Sequence, residues 1–320
     1  MLMLIIYKLR WYHGKTFRPF FLTKGFFLIL CSTRHIIIGG EKMNKLAIIG
    51  AGSMSEALIS GIVSSKMCET TDITVTNRGN ENRLIELQER YGINYSFDLE
   101  KVIGNADVII LAMKPKDVRE ATLQWKDYLS ERTLLISVLA GVSMDSLQRL
   151  IDQKVPIARA MPNTSAMVGK SATGIAFNSF VVNEQKQFVL DLFKTVGLVT
   201  VVEEEQLDAI TGLSGSGPAY IYYLVEAMEK GGLKIGLDRE VANELIVQTL
   251  IGAAEMIAVS SKSPLELRKN VTSPGGTTEA GLKILEQFDV QNAFISCIEE
   301  ATTQSKRMGK ALTDELKLSK

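Results

Sequence analysis

Short apolar runs and longer amphipathic segments alternate along the chain after residue 43. Short segments that carry Ile, Leu or Val predict strands at residues 45–50, 73–76, 106–113, 133–139 and 155–160, of which 106–113 and 133–139 are the continuous apolar runs. Segments with helical periodicity lie between them, and the first places Met54, Ala57, Leu58 and Ile62 on one face. Apolar strands that alternate with helices are typical of a parallel sheet covered on both faces. The pattern therefore predicts an α/β domain over residues 43–203.

Helical periodicity dominates from residue 204 to residue 320. A helix is predicted from Pro218 to near Gly231-Gly232, a long helix follows Asp238, and another begins after Ser263-Pro264. The helix after Pro218 is expected to bury the residues Ile221, Leu224, Val225 and Met228. Several apolar-faced helices with few strands predict an all-α domain that buries surface against a second copy of the chain.

The formal net charge of zero conceals an uneven distribution. Residues 1–42 hold seven basic residues and one acidic residue, which leaves 29 basic and 35 acidic residues in 43–320. Nothing in this balance indicates a nucleic-acid partner. Both histidines, His13 and His35, lie in the basic leader, so a Ser-His-Asp triad or a His-ligated zinc is not expected in the remainder. The three scattered cysteines suit a reducing cytoplasm, and no metal site is predicted.

The leader, residues 1–42, has no clear periodicity. Its apolar run from Phe26 to Cys31 is too short to span a bilayer, so no membrane segment is predicted there. We interpret Met43 as the biological start, because a first strand follows it at once and Gly39-Gly40-Glu41 can be encoded by a purine-rich ribosome-binding sequence. A basic targeting peptide is the alternative. N-terminal sequencing of the native protein distinguishes the two.

A glycine motif follows the first predicted strand and precedes the first helix: Gly50, Ala51, Gly52, Ser53 and Met54. This context fits a dinucleotide-binding fingerprint, although the third glycine position holds Ser55. The second strand ends in Thr76-Asn77-Arg78, without the acidic residue that usually holds the ribose of NAD. Because Arg78 can pair with a 2′-phosphate, NADPH is the predicted cofactor, with NADH as an alternative. Arg78 could instead be a solvated surface charge.

A second candidate site is the loop Ser273-Pro274-Gly275-Gly276-Thr277-Thr278, which runs into an amphipathic helix. The glycines allow a ligand to approach the backbone, and the threonines are expected at the N-cap. Free N–H groups at a helix start, with hydroxyls beside them, suit a small anion such as a carboxylate. Simple helix capping is the alternative reading of this loop.

Taken together, six segments resemble pyrroline-5-carboxylate reductases and occur in that family's order: Gly50 to Met54, Ala112 to Pro115, Ala140-Gly141, Arg159 with Met161-Pro162-Asn163-Thr164, Gly212 to Tyr220, and Ser273 to Thr278. The resemblance implies a doubly wound Rossmann domain, a C-terminal dimerisation domain, dimers that often assemble into rings, and a cytoplasmic enzyme. It also implies NAD(P)H-dependent reduction of 1-pyrroline-5-carboxylate to L-proline, the last step of proline biosynthesis.

The resemblance also assigns residues. The nicotinamide is expected to contact Ala112, Met113, Lys114, Pro115, Val138, Leu139 and Ala140, and the cofactor also to contact Asn77 and Asn163. Lys114 could instead be an exposed lysine at a strand end, and Asn163 could serve only the structure of its turn. The substrate is assigned to Asn270, Ser273, Gly275, Gly276, Thr277 and Thr278. Thr278 is the candidate catalytic residue, as a hydroxyl that orients the ring nitrogen or a water relay.

Two other functions remain open from the sequence. One is another NADP-linked imine or β-hydroxyacid reductase, although the lysines that could serve the latter, Lys230 and Lys234, follow the apolar helix rather than lying in its face. The other is a nucleotide-binding regulatory homologue without catalysis, against which the intact loop from Ser273 to Thr278 argues.

Overall fold

The computed structural model describes residues 37–38, 41–42 and 45–318. Met43, the predicted start, lies outside these residues, as does most of the leader. Within the leader, strands β1 (Ile37–Ile38) and β2 (Glu41–Lys42) pair antiparallel.

The next eight strands form one sheet in the order β10-β9-β8-β7-β6-β3-β4-β5. Their bounds are β3 (Leu46–Ile49), β4 (Ile73–Thr76), β5 (Asn94–Tyr95), β6 (Val108–Leu111), β7 (Leu134–Ser137), β8 (Ile157–Met161), β9 (Ser171–Phe177) and β10 (Gly197–Val201). Neighbouring strands are parallel except for β8 and β9, which are antiparallel. The five predicted strands are confirmed within a few residues, whereas β5, β9 and β10 were not predicted, and the expected purely parallel pairing is wrong at β9.

Six helices cover the two faces of the sheet. They are α1 (Ser53–Ser64), α2 (Glu81–Tyr91), α3 (Leu99–Gly104), α4 (Val118–Trp125), α5 (Met144–Ile151) and α6 (Asn183–Lys194). Alternation along β3 sends Leu46 and Ile48 into a core with α1, α2 and α6, while Ala47 and Ile49 enter a core with α3, α4 and α5. This two-sided core confirms the predicted doubly wound α/β domain.

The C-terminal part is helical, as predicted. It contains α7 (Leu207–Ile210), a π-helical turn at Thr211–Gly215, α8 (Gly217–Lys234), α9 (Arg239–Val259), α10 (Pro264–Asn270), α11 (Thr277–Gln287) and α12 (Val290–Leu318). The predicted end of α8 near Gly231-Gly232 is wrong, because the helix continues to Lys234. Gly232 instead allows close crossing of α9: an added Cβ would lie 3.1 Å from the Ala242 Cβ.

The apolar faces of α8 and α9 are largely uncovered within one chain. The predicted burial of the α8 face is wrong at this level, because Ile221 is 45% exposed and Leu224 is 38% exposed. Along α9 the buried side chains are Ala242 and Ile246. By length and composition α9 could also cross a bilayer, and a core helix of a soluble protein passes the same test. Such surface needs a cover from outside the single chain.

Buried Arg159 on β8 joins the two domains. Its guanidinium lies 3.2 Å from Glu204 and 3.6 Å from Asp208. Glu204 also accepts the Met144 N–H at 2.7 Å, and Asp208 accepts the Ser305 hydroxyl at 2.6 Å. One arginine thereby connects the sheet, the start of α5, the segment before α8, and α12.

Candidate functional site

The turn between β3 and α1 is shaped by two glycines. Gly50 has a φ of 112°, and a Cβ there would lie 2.5 Å from the Ala112 carbonyl oxygen. Its N–H donates to the Thr76 carbonyl at 2.8 Å, which ties the turn to the end of β4. Gly52 is the N-cap of α1, and an added Cβ there would meet nothing within 4 Å. The backbone at Gly50 is therefore packed closely against Ala112, whereas the space beside Gly52 is open. Gly52 lies at the electropositive start of a helix.

A cavity of about 670 Å³ lies at this turn, at the carboxyl ends of β3, β4 and β6. Ten of the predicted cofactor residues line it: Gly50, Ala51, Gly52, Ser53, Met54, Asn77, Arg78, Ala112, Met113 and Lys114. Pro115 and Ala140 line a neighbouring cavity of about 550 Å³. Val138, Leu139 and Asn163 line neither cavity. The crevice sits where the order of strands reverses, the usual ligand position in open α/β sheets.

The far wall of the larger cavity was not predicted from the sequence. It is formed by Phe97, Leu99, Lys116, Asp117, Glu120, Ala121, Gln124 and Trp125. The last five follow helical spacing of three or four residues after Pro115, so the same face of one helix recurs along the wall. This helical spacing is the sequence signal from which these cavity residues could have been predicted.

The end of β4 lacks a carboxylate, but one reaches Arg78 from across the cavity. A guanidinium nitrogen of Arg78 lies 3.0 Å from the Asp117 carboxylate, and the Arg78 side chain is 72% exposed. Asn77 orders the same loop by accepting the N–H groups of Gly79 and Asn80 at 2.9 and 2.8 Å. Arg78 is therefore held over the cavity by an exposed ion pair.

Asn163 has structural partners. Its side-chain amide donates to the Ser214 carbonyl at 2.9 Å and its side-chain oxygen accepts the Ser165 N–H at 3.1 Å. These bonds join the end of β8 to the π-helical turn. A contact between Asn163 and a cofactor stays a prediction.

The loop before α11 differs from expectation at its cap. Gly276 is the N-cap, with φ of −82°, and Thr277 and Thr278 are the first two helical residues, so the predicted threonine N-cap is wrong. Gly276 takes this position because its extended backbone turns its carbonyl toward the Ala280 N–H, at 3.2 Å. Gly275 carries the positive φ of 73°.

Two loop N–H groups already have acceptors. The Gly275 N–H donates to the Glu279 carboxylate at 2.9 Å, and the Gly276 N–H donates to the Ser273 carbonyl at 3.0 Å. The N–H groups of Thr277 and Thr278 belong to the first helical turn, which has no intrahelical acceptors for them. The anion site expected here therefore consists of these two N–H groups and their hydroxyls.

The structure does not bring the predicted substrate and cofactor residues together within one chain. The residues that line the larger cavity all lie between Ile49 and Trp125. Asn270, an exposed residue at the end of α10, and the loop from Ser273 to Thr278 line neither cavity. The glycine turn has the positive φ expected at Gly50, the loop before α11 has a cap shifted to Gly276, and the loop does not line the cavity at the turn.

Family models of known proteins match both the α/β domain and the helical domain of this chain. A family model described as pyrroline-5-carboxylate reductase dimerisation matches residues 204–308, and one described as NADP oxidoreductase, coenzyme F420-dependent, matches residues 45–141. Pyrroline-5-carboxylate reductase 2 of Bacillus subtilis is 45% identical over 263 residues, 82% of this chain and 94% of the relative.

Solved structures agree with this match. The crystal structure of the Plasmodium falciparum pyrroline carboxylate reductase with NADP bound has a TM-score of 0.76 at 31% identity, covering 83% of this chain and 98% of that chain. A pyrroline-5-carboxylate reductase from Coxiella burnetii has a TM-score of 0.75 at 36% identity, covering 83% and 99%. With a relative that is 45% identical and matched over 94% of its length, the chain belongs to the pyrroline-5-carboxylate reductase family.

Proposed function

We propose that this protein reduces 1-pyrroline-5-carboxylate to L-proline, the last step of proline biosynthesis, with a nicotinamide dinucleotide as reductant. The observation that carries the proposal is the presence, in one family member, of both a dinucleotide-type cavity at Gly52 and a helix start with free donors at Thr277 and Thr278. When bound, the cofactor supplies the hydride. The chain supplies binding and orientation.

The cavity residues fit a dinucleotide. The open space before Gly52 and the N-terminus of α1 suit a pyrophosphate, and about 670 Å³ is within the range of small-molecule sites. The end of β4 itself carries no acidic residue, and Arg78 can exchange Asp117 for a 2′-phosphate, which supports NADPH over NADH. Lys114 and Lys116 add positive charge to the lining of the cavity.

The loop before α11 is proposed to hold the substrate carboxylate through the N–H groups of Thr277 and Thr278. Asn270, Ser273, Gly275 and Gly276 are proposed as the other substrate-binding residues of this segment. A cyclic imine can take its proton from water, so the reaction does not need a histidine, and residues 43–320 contain none. The Thr278 hydroxyl is proposed to orient the ring nitrogen or a water beside it.

The active unit is proposed to be a homodimer, further assembled into a ring, working in the cytoplasm without a membrane or nucleic acid. Because the loop lies outside the cavity of its own chain, a second copy is proposed to bring its loop to that cavity. The exposed faces of α8 and α9 would then form the dimer core.

The experiment is turnover of NADPH with pyrroline-5-carboxylate, followed by the loss of NADPH absorbance. Reduction of another imine, or of the carbonyl compound that yields a β-hydroxyacid, in preference to this substrate would identify the first alternative. Tight NADPH binding without turnover of any of these would identify a regulatory homologue.

Mixed dimers test the shared site. Gly52→Glu places a carboxylate in the phosphate position without a steric clash, and Gly275→Val strains the loop. If a partner supplies the loop, mixing the two inactive variants restores one intact site in half of the dimers, about a quarter of wild-type activity. If each chain uses its own loop, mixing restores none.

A further inference from the structure

Arg83 of α2 reaches the backbone of the glycine turn. Its Nε donates to the Ala51 carbonyl at 3.0 Å, although 32 residues separate them in sequence. The same guanidinium binds the carboxylate of Glu56 and donates to Glu86 at 2.7 Å. The Arg83 side chain is only 20% exposed, so solvent screens these contacts weakly.

Glu56 is an acidic residue in the first turn of α1, and its side chain is 8% exposed. Arg90 also pairs with it, and the Tyr91 hydroxyl donates to it at 3.1 Å. Burial alone would raise the pKa of the Glu56 carboxyl, but hydrogen bonds from Arg83 and Tyr91 and the charges of Arg83 and Arg90 outweigh burial and lower it. Glu56 is therefore ionised, and its charge is compensated beside a site for an anionic ligand.

The contact with Ala51 fixes a peptide plane. In a trans peptide the C=O and the following N–H point to opposite sides. Holding the Ala51 carbonyl toward Arg83 therefore directs the Gly52 N–H away from Arg83. Gly52 lines the cavity, whereas Arg83 does not. Arg83 acts on a ligand only through the backbone that it holds.

We propose that Arg83 is a positioning residue for dinucleotide binding, which holds the Ala51–Gly52 peptide and the first turn of α1 so that their N–H groups face the pyrophosphate. The inference rests on the proposed function only in that the ligand is a dinucleotide. Asn80, the N-cap of α2, accepts the Arg83 N–H at 3.1 Å. The start of α2 thus links the loop that carries Arg78 to the glycine turn.

Arg90 offers a matched control. It pairs with the same two carboxylates, Glu56 and Glu86, but makes no hydrogen bond to Ala51 among the described residues. Arg83→Met and Arg90→Met therefore remove the same charge from the same cluster, and only the first frees the glycine turn. Arg83→Lys keeps the charge but has no Nε to meet the Ala51 carbonyl.

The test is calorimetric titration of the full chain with NADPH, with thermal unfolding of each variant as a measure of structural damage. Arg83→Met is expected to raise the Kd about tenfold, the effect of one charged hydrogen bond, and Arg83→Lys to change it in the same direction. Arg90→Met is expected to change it less than about twofold. The Arg83→Met effect should persist at about 1 M salt, where the Debye length is about 3 Å, because it is not a long-range charge effect. Steady-state kinetics should show a raised KM for NADPH with a smaller change in kcat.

Equal Kd values for Arg83→Met and Arg90→Met would overturn the inference, as would an effect that disappears at high salt. Either result leaves the proposed reductase activity intact. Conversely, the wild-type chain could bind NADPH more tightly than Arg83→Met does and yet reduce no pyrroline-5-carboxylate. That result would support the inference and refute the proposed function.

Discussion

Arg78 is the residue through which cofactor preference can be tested most directly. In the structure it pairs with Asp117 at 3.0 Å and is 72% exposed. An exposed ion pair contributes about 0.2–1 kcal/mol, whereas a charged hydrogen bond to a phosphate contributes about 1.5–3 kcal/mol. The phosphate contact is the larger, so Arg78 is expected to leave Asp117 when a 2′-phosphate is present. Breaking the ion pair with Asp117 reduces the binding free energy that the contact between Arg78 and the phosphate contributes.

Two substitutions separate these contributions. Arg78→Gln loses the phosphate contact and the ion pair together, a net loss of about 0.5–2.8 kcal/mol in NADPH binding, which corresponds to a rise in Kd of about two- to a hundredfold. Asp117→Asn removes the competitor, so NADPH binding should tighten by up to about fivefold. NADH has no 2′-phosphate, and its affinity should change little in either variant.

The measurement is the Kd of NADPH and of NADH for each variant. Lys101→Gln is the control, because Lys101 forms a similar exposed pair with Asp98 at 2.9 Å but does not line the cavity. Parallel changes in the affinities of both cofactors, or an Asp117→Asn variant that binds NADPH more weakly, would refute the assignment of Arg78 to the 2′-phosphate.

Three further predictions concern the loop and the stability of the fold. Gly275→Val should raise the KM for pyrroline-5-carboxylate sharply and leave NADPH affinity nearly unchanged. Thr278→Ala should lower kcat/KM by an amount that corresponds to about 1–2 kcal/mol of transition-state stabilisation. If either variant loses NADPH affinity as much as substrate affinity in a fluorescence titration, the loop binds the cofactor. Arg159→Met should lower the free energy of unfolding in urea by about 2–4 kcal/mol at fixed protein concentration. The control Arg149→Met breaks an exposed ion pair and should lower it by less than about 0.5 kcal/mol. Similar losses in the two variants would contradict the stabilising role given to Arg159 and its carboxylate partners. Ser55→Ala should raise the melting temperature through a gain of about 1 kcal/mol, because the buried Ser55 hydroxyl has no partner among the described residues, and a lowered melting temperature would contradict this.

The sequence predicted those parts of the fold that depend on local pattern. The strands β3 and β6 are apolar at every position, because burial on both faces leaves an uninterrupted apolar signal. By contrast, the sheet's outer strand β10 is partly exposed, with Leu198 at 70% and Val201 at 56%, so its alternation is weak. The antiparallel direction of β9 depends on chain topology, which periodicity does not encode.

The candidate site shows the same division. Gly50 was identifiable because a tight turn directly after a strand needs a positive φ, here 112°. Asp117 as the partner of Arg78, and Arg83 as the partner of Ala51, join residues 39 and 32 positions apart through tertiary packing. No local pattern specifies such pairs. The N-cap before α11 was misplaced by one or two residues, a shift that depends on backbone angles at Gly276 rather than on residue type.

The two domains differ in how completely a single chain buries their apolar residues and encloses their sites. The sheet domain buries its apolar residues on both faces, and its cavity has walls from four of its own segments. The helical domain leaves Tyr223 75% exposed and Val259 80% exposed, and its loop before α11 has donors but no facing wall. Exposed apolar faces and an open half-site are separate observations, and the proposed dimer would account for both. A second copy laid against α8 and α9 would cover the faces and could bring each loop to the other chain's cavity, so that assembly and catalysis would depend on the same contact.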